Sequence, residues 1–353
     1  MFLLFVRPLH AIIARVPGAN SHVLTVGAAD FSPRYAIPLD FPTIGQAMDF
    51  ISLVDPDSSN RAEQWTILVM PGYYREVIQF KPFVNVVGLL KEAVIVASPD
   101  DITDDDRLRV HSTLLPPPAQ VYLCSNSLLS NVTVAVRGDS SPGHFAVRGY
   151  DVNIYPGNRR PRGDVHFLGL ANVDFHTYPP YPKSGPPAGG GLIKFDGNWR
   201  TVIFRDVGGN YDAPRGFGIE LTGREPFQNA DCHFINCFFD ALFLSGEGGV
   251  IQVADCYEVH LRNSLVRVRY KEGALIEAWQ PPPITAVKTM RTRGAKGPIA
   301  PNVHIQGSTL YGPGTSVLDV GENTVCFFRH SFSDSMTCDG KFFASASNGI
   351  GNL

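Results

Sequence analysis

Charged residues are sparse in this sequence, and neither sign is in strong excess. Asp, Glu, Lys and Arg make up 18% of the 353 residues, and the formal net charge is −3 at pH 7. Nucleic-acid-binding surfaces are usually strongly basic because they must neutralise phosphates. The composition therefore predicts no nucleic acid as a partner.

Long apolar runs are also missing. Charges or prolines interrupt every hydrophobic stretch before it reaches the roughly 18 residues that a membrane-spanning helix needs. Arg7 and Pro8 interrupt even the first residues, MFLLFVRPLHAII. We therefore expect no membrane span, and we interpret this start as an N-terminal strand or docking segment rather than a targeting signal.

Cysteine patterns typical of metal sites are absent too. The six cysteines include no Cys-x-x-Cys pair, and most lie in apolar, strand-like runs, which favours buried free thiols. Four residues separate Cys232 from Cys237, but no His pair at zinc-site spacing accompanies them. The sequence also lacks Gly-x-Ser-x-Gly and Gly-Lys-Ser/Thr motifs. We predict no metal site and no cofactor.

Runs of strong helix formers are missing, whereas turn and strand residues are abundant. The chain contains 34 Gly, 28 Pro and 23 Phe, which favours an all-β fold of many short strands. Asp-Gly and Asn-Gly, the usual signals of tight hairpins, occur only near residues 196, 339 and 348. The pattern therefore disfavours an antiparallel sandwich or propeller.

A degenerate repeat organises the chain instead. Its form is apolar-x-polar-x-x-apolar, and successive centres are 23 to 44 residues apart, which fits turns of a parallel β-helix of about 20 to 25 residues with inserted loops. Small polar residues suit the bend of such a turn because they tolerate left-handed backbone geometry. The centres are Asn131, Asn172, Asp206, Asn236, Asn263, Gly307 and His330, with Gly88 as an earlier candidate.

A short amphipathic helix is predicted within FPTIGQAMDFISLV. Thr43 is placed as its N-cap, and Gln46 three residues later completes a capping box. Such a helix would close the open end of the coil and cover its unpaired edge. The apolar face is expected to comprise Ile44, Ala47, Met48 and Ile51.

Three Pro- and Gly-rich stretches, 112–120, 177–191 and 280–302, are predicted to be inserted loops. The last of them carries Lys and Arg but no acidic residue, which fits either a solvated loop or a contact for an acidic partner or a neighbouring subunit. The β-helix domain is expected to span 41–338. An N-terminal docking segment, 1–40, and a C-terminal tail, 339–353, would flank it.

The start of the predicted coil resembles a known family. The segments TIGQA (43–47), WTILVM (65–70), PGYYRE (71–76) and VNVVG (84–88) are similar to the opening of pectin methylesterases, members of the pectin-lyase-like superfamily. The resemblance covers about one sixth of the chain. It implies a right-handed parallel β-helix.

The resemblance also implies a catalytic set of two aspartates, an arginine and glutamines, of which this chain retains little. Asp240 stands at the position of the family's acid/base, but Phe239 replaces the adjacent glutamine. No aspartate occurs in 258–268, where the nucleophile would fall, and no Gly-Arg-x-Trp follows. No catalytic residue is therefore expected, and Asp240 is the only match.

Other carbohydrate chemistry on this fold would need clustered carboxylates, with or without calcium and a basic residue. Sequence spacing across irregular turns does not indicate which of the available side chains share a face. The acidic and basic candidates are Asp206, Asp212, Asp231, Asp240, Asp255, Arg205, Arg262, Arg267 and Arg269. Aromatic platforms for a sugar could come from Tyr155, Tyr178, Tyr181, Tyr211 and Trp279.

Three functions follow from this pattern. The first is a non-catalytic structural or binding β-helix, by analogy a virion capsid, surface or tail component with other subunits, including copies of itself, as partners. The second is a divergent carbohydrate-active enzyme: an esterase, a lyase or a hydrolase. The third is a glycan-binding protein. A virion or extracellular location is favoured, and a polysaccharide is a further candidate partner.

Overall fold

The chain winds into a coil of strands whose pairings are all parallel throughout the part that the structure describes. The predicted all-β, right-handed parallel β-helix is thereby confirmed. The computed structural model describes residues 22–27, 39–54, 64–97, 119–137, 145–149, 167–178, 191–197, 200–213, 216–223, 231–243, 248–270, 284–290, 302–312, 317–321, 324–338, 341–344 and 349–352.

A full turn of the coil contributes one strand to each of three sheets. The first sheet contains β1 (His22–Val26), β2 (Trp65–Val69), β5 (Val84–Gly88), the beginnings of β8 (Ser127–Arg137) and β10 (Phe167–Tyr178), β12 (Thr201–Arg205), β15 (Asp231–Ile235), β18 (Glu258–Arg262), β21 (Asn302–Gln306), β24 (Val325–Arg329) and β26 (Lys341–Ala344). The second sheet contains β3 (Gly72–Arg75), β6 (Val94–Ala97), the ends of β8 and β10, β13 (Gly208–Ala213), β16 (Phe238–Phe243), β19 (Leu265–Tyr270), β22 (Thr309–Tyr311), β25 (Phe332–Cys338) and β27 (Gly349–Asn352). The third sheet contains β4 (Ile78–Gln79), β7 (Ala119–Leu123), β9 (Phe145–Gly149), β11 (Gly191–Gly197), β14 (Gly216–Gly223), β17 (Gly248–Ala254), β20 (Ile284–Met290), β23 (Leu318–Val320) and the end of β25.

The predicted repeat centres form the bend between the first and second sheets. All seven from Asn131 to His330 have a positive φ, between 48° and 60°, so their predicted left-handed geometry is confirmed. The bends stack on one another: the Asn236 amide Nδ2 donates to Asp206 Oδ1 at 3.2 Å, and Asn172 Nδ2 donates to Asn131 Oδ1 at 2.8 Å. Each bend therefore helps to set the register of the next.

Gly88 does not share this geometry, because Gly307 is the only glycine with a positive φ in the described part of the chain. Its small size serves another purpose. A Cβ at Gly88 would lie 2.0 Å from the carbonyl oxygen of Asn131 on the next turn. The expectation of a left-handed bend at Gly88 is thus wrong, and close approach of the backbone explains the glycine.

The residue after each bend points inward, and the residues after the last four bends form a hydrogen-bonded column. The backbone N–H of Cys237 donates to Ser264 Oγ at 3.1 Å, that of Ser264 to Ser308 Oγ at 3.1 Å, and that of Ser308 to Ser331 Oγ at 3.2 Å. The three hydroxyls donate in turn to carbonyl oxygens two residues earlier. These buried polar groups are therefore satisfied without water.

Alternation along each strand places the core inside the coil. In β12, β15, β18 and β21 the second and fourth residues are buried and the others lie outside. Because strands of successive turns are in register, inward residues stack in columns. One column contains Phe204 and Phe234, whose rings are stacked 4.8 Å apart, with Phe195 at 5.9 Å from Phe204.

The predicted capping helix is present as α1 (Ile44–Val54). Its buried residues are Ile44, Ala47, Met48 and Ile51, which confirms the predicted apolar face. The Gln46 backbone N–H donates to Thr43 Oγ1 at 3.2 Å, which confirms Thr43 as the N-cap.

Glu76, the last residue of the PGYYRE segment, binds the N-terminus of α1. The backbone N–H groups of Ile44 and Gly45 donate to its two carboxylate oxygens at 2.9 Å and 2.7 Å. Burial raises the pKa of Glu76 even though both bonds act to lower it. A Cβ at Gly45 would lie 3.1 Å from Glu76 Oε2, so the glycine allows the carboxylate to approach. The segment that carries the family resemblance thus joins the cap to the first turn.

Replacing Glu76 by Ala is expected to lower the free energy of unfolding by about 1–3 kcal/mol, because two half-buried N–H donors lose a charged acceptor. Urea unfolding at neutral pH measures this loss. Glu92→Ala is the matched control, since Glu92 is exposed and should change stability by no more than about 0.5 kcal/mol. Equal losses in the two variants would contradict the capping role.

The predicted loop 280–302 is partly wrong. Ile284–Met290 forms β20, which pairs with β17 and β23 in the third sheet. The prolines on both sides of this segment hid its strand character. Lys288, assigned to the basic loop, pairs with Asp319 at 3.3 Å. The other predicted loops lie outside the described residues, apart from short ends that belong to β7, β10 and β11.

Strand pairing extends across both predicted domain boundaries. β1, which lies before residue 41, pairs with β2, and β26 and β27, which lie after residue 338, pair with β24 and β25. The division into 1–40, 41–338 and 339–353 stays a prediction. Within the described ranges no helix is long and apolar enough to cross a membrane.

Candidate functional site

Asp240 lies on the outer side of the second sheet, yet it is almost completely buried. It follows Phe239 and precedes Ala241, and both of these point into the core. Its side chain is only 3% exposed, whereas those of Arg267 and Arg269 on the next turn are 40% and 53% exposed. The two arginines of β19 therefore cover the carboxylate.

Both guanidinium groups bind the Asp240 carboxylate. Arg269 forms a two-pronged contact, with Nε donating to Oδ1 at 2.9 Å and Nη2 to Oδ2 at 2.8 Å. Arg267 donates from Nη2 to Oδ2. The Nε atom of Arg267 is buried and has no hydrogen-bond partner. The fork geometry of Arg269 is the kind that holds a carboxylate in one orientation.

The charges in this cluster do not cancel. Two guanidinium groups face one carboxylate, so the cluster carries a net charge of about +1. Burial alone would raise the pKa of Asp240, but the bonds and charges of Arg267 and Arg269 outweigh it and hold the pKa below its ordinary value of 3.8. Asp240 is therefore ionised at neutral pH.

The neighbours of Asp240 in register bear on its chemistry. Asn210 lies in register with Asp240 on the preceding turn, and Arg267 lies in register with it on the following turn. Tyr311 lies in register with Arg267 one turn further on. Tyr311 is 42% exposed. Neither adjacent turn offers a carboxylate at this position. Asp212 lies on the preceding turn two residues further along, and its side chain is outside the described part.

The other predicted candidates lie elsewhere. Asp206 and Asp255 are bend residues, each with a φ of 54°. Asp231, Arg205 and Arg262 lie on the outer side of the first sheet. The structure thus brings together Asp240, Arg267 and Arg269 and separates them from these five.

The predicted aromatic platforms are largely untested. Tyr155, Tyr181 and Trp279 lie outside the described residues, and Tyr178 and Tyr211 are described in backbone only. Tyr311 is not among the predicted platforms, because its exposure depends on its place at the end of a short strand. The prediction of buried thiols is confirmed for five of the six cysteines, which are buried, and none of the six forms a disulfide. Burial raises the pKa of Cys237 and of Cys326 to about 12, so neither is a nucleophile at neutral pH.

A second cluster on the outer side of the first sheet is a column of rings. The rings of His233, His260, His304, Phe327 and Phe343 follow one another on successive turns, with centroids 4.7 Å apart except for 5.5 Å at the last step. The rings are nearly parallel, with interplanar angles of 7° to 16°. Parallel strands in register produce this arrangement.

Glu258 lies beside two of these histidines. Its Oε2 is 2.9 Å from His260 Nε2, and its Oε1 is 3.9 Å from His304 Nε2. Burial, aided by the nearby charges of His260 and Arg262, lowers the pKa of His233 to about 4, and burial likewise lowers the pKa of His304. Burial and the charge of Glu258 raise the pKa of Asp231.

This cluster is not among the sites predicted from the sequence, although the sequence carries a signal for it. The strands DCHFI, EVHLR and NVHIQ carry His at the same third position. The intervals between these histidines are 27 and 44 residues, equal to those between the corresponding bends. Alignment of the strands on their bends therefore places the three rings in one column.

Comparison with known proteins gives similarity in fold only. No protein-family model matches the sequence, and no curated protein sequence does. Among solved structures, pectin methylesterase from carrot is 14% identical, with 94% of this chain and 82% of that chain covered and a TM-score of 0.34. Pectin methylesterase from Yersinia enterocolitica is 11% identical, with 88% and 91% covered and a TM-score of 0.37. The A-module of a mannuronan C-5 epimerase from Azotobacter vinelandii is 12% identical, with 83% and 71% covered and a TM-score of 0.29.

Proposed function

We propose that this parallel β-helix is a non-catalytic protein that binds an acidic saccharide on the outer side of its second sheet. One observation carries the proposal: the buried carboxylate of Asp240 is bound by the guanidinium groups of Arg267 and Arg269. The function is therefore recognition, and turnover is not expected.

The state of Asp240 argues against acid–base catalysis. A general acid must carry a proton at the working pH, whereas the pKa of Asp240 lies below its ordinary value. Ester cleavage by two carboxylates also needs the second one within reach of the same bond. The positions in register with Asp240 on the adjacent turns are Asn210 and Arg267, and neither can serve as that carboxylate.

The surface around Asp240 suits an anion with an apolar face. The cluster carries excess positive charge, and its arginines are about half exposed. Arginine binds carboxylates with good geometry. Tyr311, in register with Arg267, offers an exposed ring on which a sugar can pack. A uronic acid residue combines these two features.

Binding and turnover can be measured on the same protein. Titration calorimetry with polygalacturonate should show binding that weakens as ionic strength rises. Arg267→Gln and Tyr311→Ala should each weaken binding by about tenfold, as expected for loss of one charged or aromatic contact. Arg205→Gln is the matched control, because it removes an exposed arginine from the first sheet and should leave affinity unchanged.

Methanol release from methyl-esterified pectin, and cleavage of de-esterified pectin, should stay at the level of a no-protein blank. Turnover that disappears in Asp240→Ala would overturn the non-catalytic assignment. Absence of binding to either polymer at low salt, or equal effects of Arg205→Gln and Arg267→Gln, would overturn the binding site.

Further predictions from the sequence concern partners and location. Copies of the same chain or other subunits are the expected protein partners, and a virion or extracellular location is favoured by analogy from the fold. Analytical ultracentrifugation of the purified protein tests the first of these, since a self-associating rod sediments as more than a monomer.

A further inference from the structure

We infer that Glu258, His260 and His304 form a binding site for a divalent transition metal of the zinc class on the outer side of the first sheet. This site is separate from the Asp240 cluster on the second sheet, and it does not depend on the proposed saccharide binding. The sequence alone predicts no metal site.

The geometry of the three side chains supports a shared ion. One ligand atom from each lies within 4.8 Å of the other two. Zinc binds imidazole nitrogen and carboxylate oxygen at about 2.0–2.2 Å, so an ion between these atoms needs only small side-chain movements. Two imidazoles and one carboxylate are also a donor set typical of zinc and iron(II) sites.

The strands hold the donors in place. Glu258 and His260 are two residues apart on β18 and therefore point to the same side, and His304 lies in register with His260 on β21. The parallel stacking of the two rings, 4.7 Å apart, places both Nε2 atoms beside the Glu258 carboxylate. Donors on paired strands are more rigid than donors on loops.

Unpaired polar atoms point to a missing ligand. His304 Nε2 is buried and has no hydrogen-bond partner, because its 3.9 Å separation from Glu258 Oε1 is too long. Asp231 Oδ1, on the preceding turn in register with Glu258, is also buried without a partner. A buried polar atom without a hydrogen-bond partner is energetically unfavourable. A cation beside Glu258 would satisfy the nitrogen directly and would attract the aspartate oxygen.

A ring column that serves stacking alone would not need these nitrogens. The same column continues through Phe327 and Phe343, which stack equally well and cannot bind a metal. Phenylalanine is therefore the substitution that separates the two roles. His304→Phe keeps a ring between His260 and Phe327 and removes only the donor, while Glu258→Gln keeps the shape and removes the charge.

The test uses the full chain after treatment with a chelator. Titration calorimetry with Zn²⁺ at neutral pH should show one site, and excess Ca²⁺ or Mg²⁺ should not compete, because those ions prefer oxygen ligands. Co²⁺ should give the visible absorption of a low-symmetry site with nitrogen ligands. His304→Phe and Glu258→Gln should each weaken Zn²⁺ binding by more than about 100-fold, since loss of a supporting partner alone costs 10–100-fold.

His176→Ala is the matched control, because His176 is exposed on the second sheet and its loss should leave Zn²⁺ affinity unchanged. Thermal unfolding in chelator shows whether each variant folds. If His304→Phe does not fold, Glu258→Gln and the Co²⁺ spectrum decide. Zn²⁺ affinity that is equal in wild type and in the folded variants, or absent in wild type, would overturn the site.

Discussion

Simultaneous replacement of Arg267 and Arg269 by Gln is expected to destabilise the protein by about 3 kcal/mol at neutral pH. Removal of both cations leaves the Asp240 carboxylate, 3% exposed, without a counter-charge, and breaking a buried ion pair costs about 3–5 kcal/mol. The lower end of this range applies because the two arginine side chains are themselves about half exposed to solvent. Urea unfolding of the double variant measures the loss.

The loss should depend on pH. The arginines hold the native pKa of Asp240 below 3.8, so their stabilisation is fully present above the pKa of the unfolded chain and is lost as pH falls through the native pKa. Without them, burial raises the native pKa of Asp240. The difference between wild type and double variant should therefore be largest near neutrality and should shrink as pH falls into the acid range, because the carboxyl of the variant then takes up a proton.

Adding Asp240→Asn to the double variant provides the control. The triple variant has no buried charge, and it should recover most of the lost stability at neutral pH. If the triple variant is as unstable as the double variant at every pH, the arginines contribute through packing of their stems rather than through the charge of Asp240.

Phe234→Ala is expected to cost about 3–5 kcal/mol in the free energy of unfolding, the range found when a buried phenylalanine is truncated. Phe234 is completely buried and its ring stacks on that of Phe204. Paired strands on both adjacent turns hold the surrounding backbone in register, so the cavity cannot close easily. Thermal or urea unfolding shows the loss directly.

The outer ring column offers a matched comparison. Phe343 also stacks on a phenylalanine of the preceding turn, at 5.5 Å from Phe327, but it is 52% exposed. Phe343→Ala should lower the free energy of unfolding by no more than about 1 kcal/mol, since folding removes only part of the Phe343 side chain from water. Equal costs for the two truncations would show that stacking, rather than burial, stabilises the coil.

Features that depend on local sequence were predicted well. A bend residue such as Asn236 is recognisable because few side chains tolerate a left-handed backbone, and the helix cap at Thr43 is recognisable because its hydroxyl accepts a nearby N–H. The prediction of a loop over 280–302 is wrong for Ile284–Met290, which forms a strand, because prolines outside a strand do not prevent the strand itself. A bend was predicted at Gly88 because the sequence does not distinguish a glycine that adopts a positive φ from a glycine that lets a neighbouring backbone approach closely.

The clusters could not be predicted in the same way. Asp240 and Arg269 are 29 residues apart, and Glu258 and His304 are 46 residues apart, and contacts of that range depend on how many residues each turn contains. Turn length varies between about 23 and 44 residues with the inserted loops. Alternation and bend residues in the sequence determined that the chain forms a parallel β-helix and which side chains face outward. Only the stacking of the turns decided which outward side chains meet, because register is set by hydrogen bonds between strands that the local sequence does not specify.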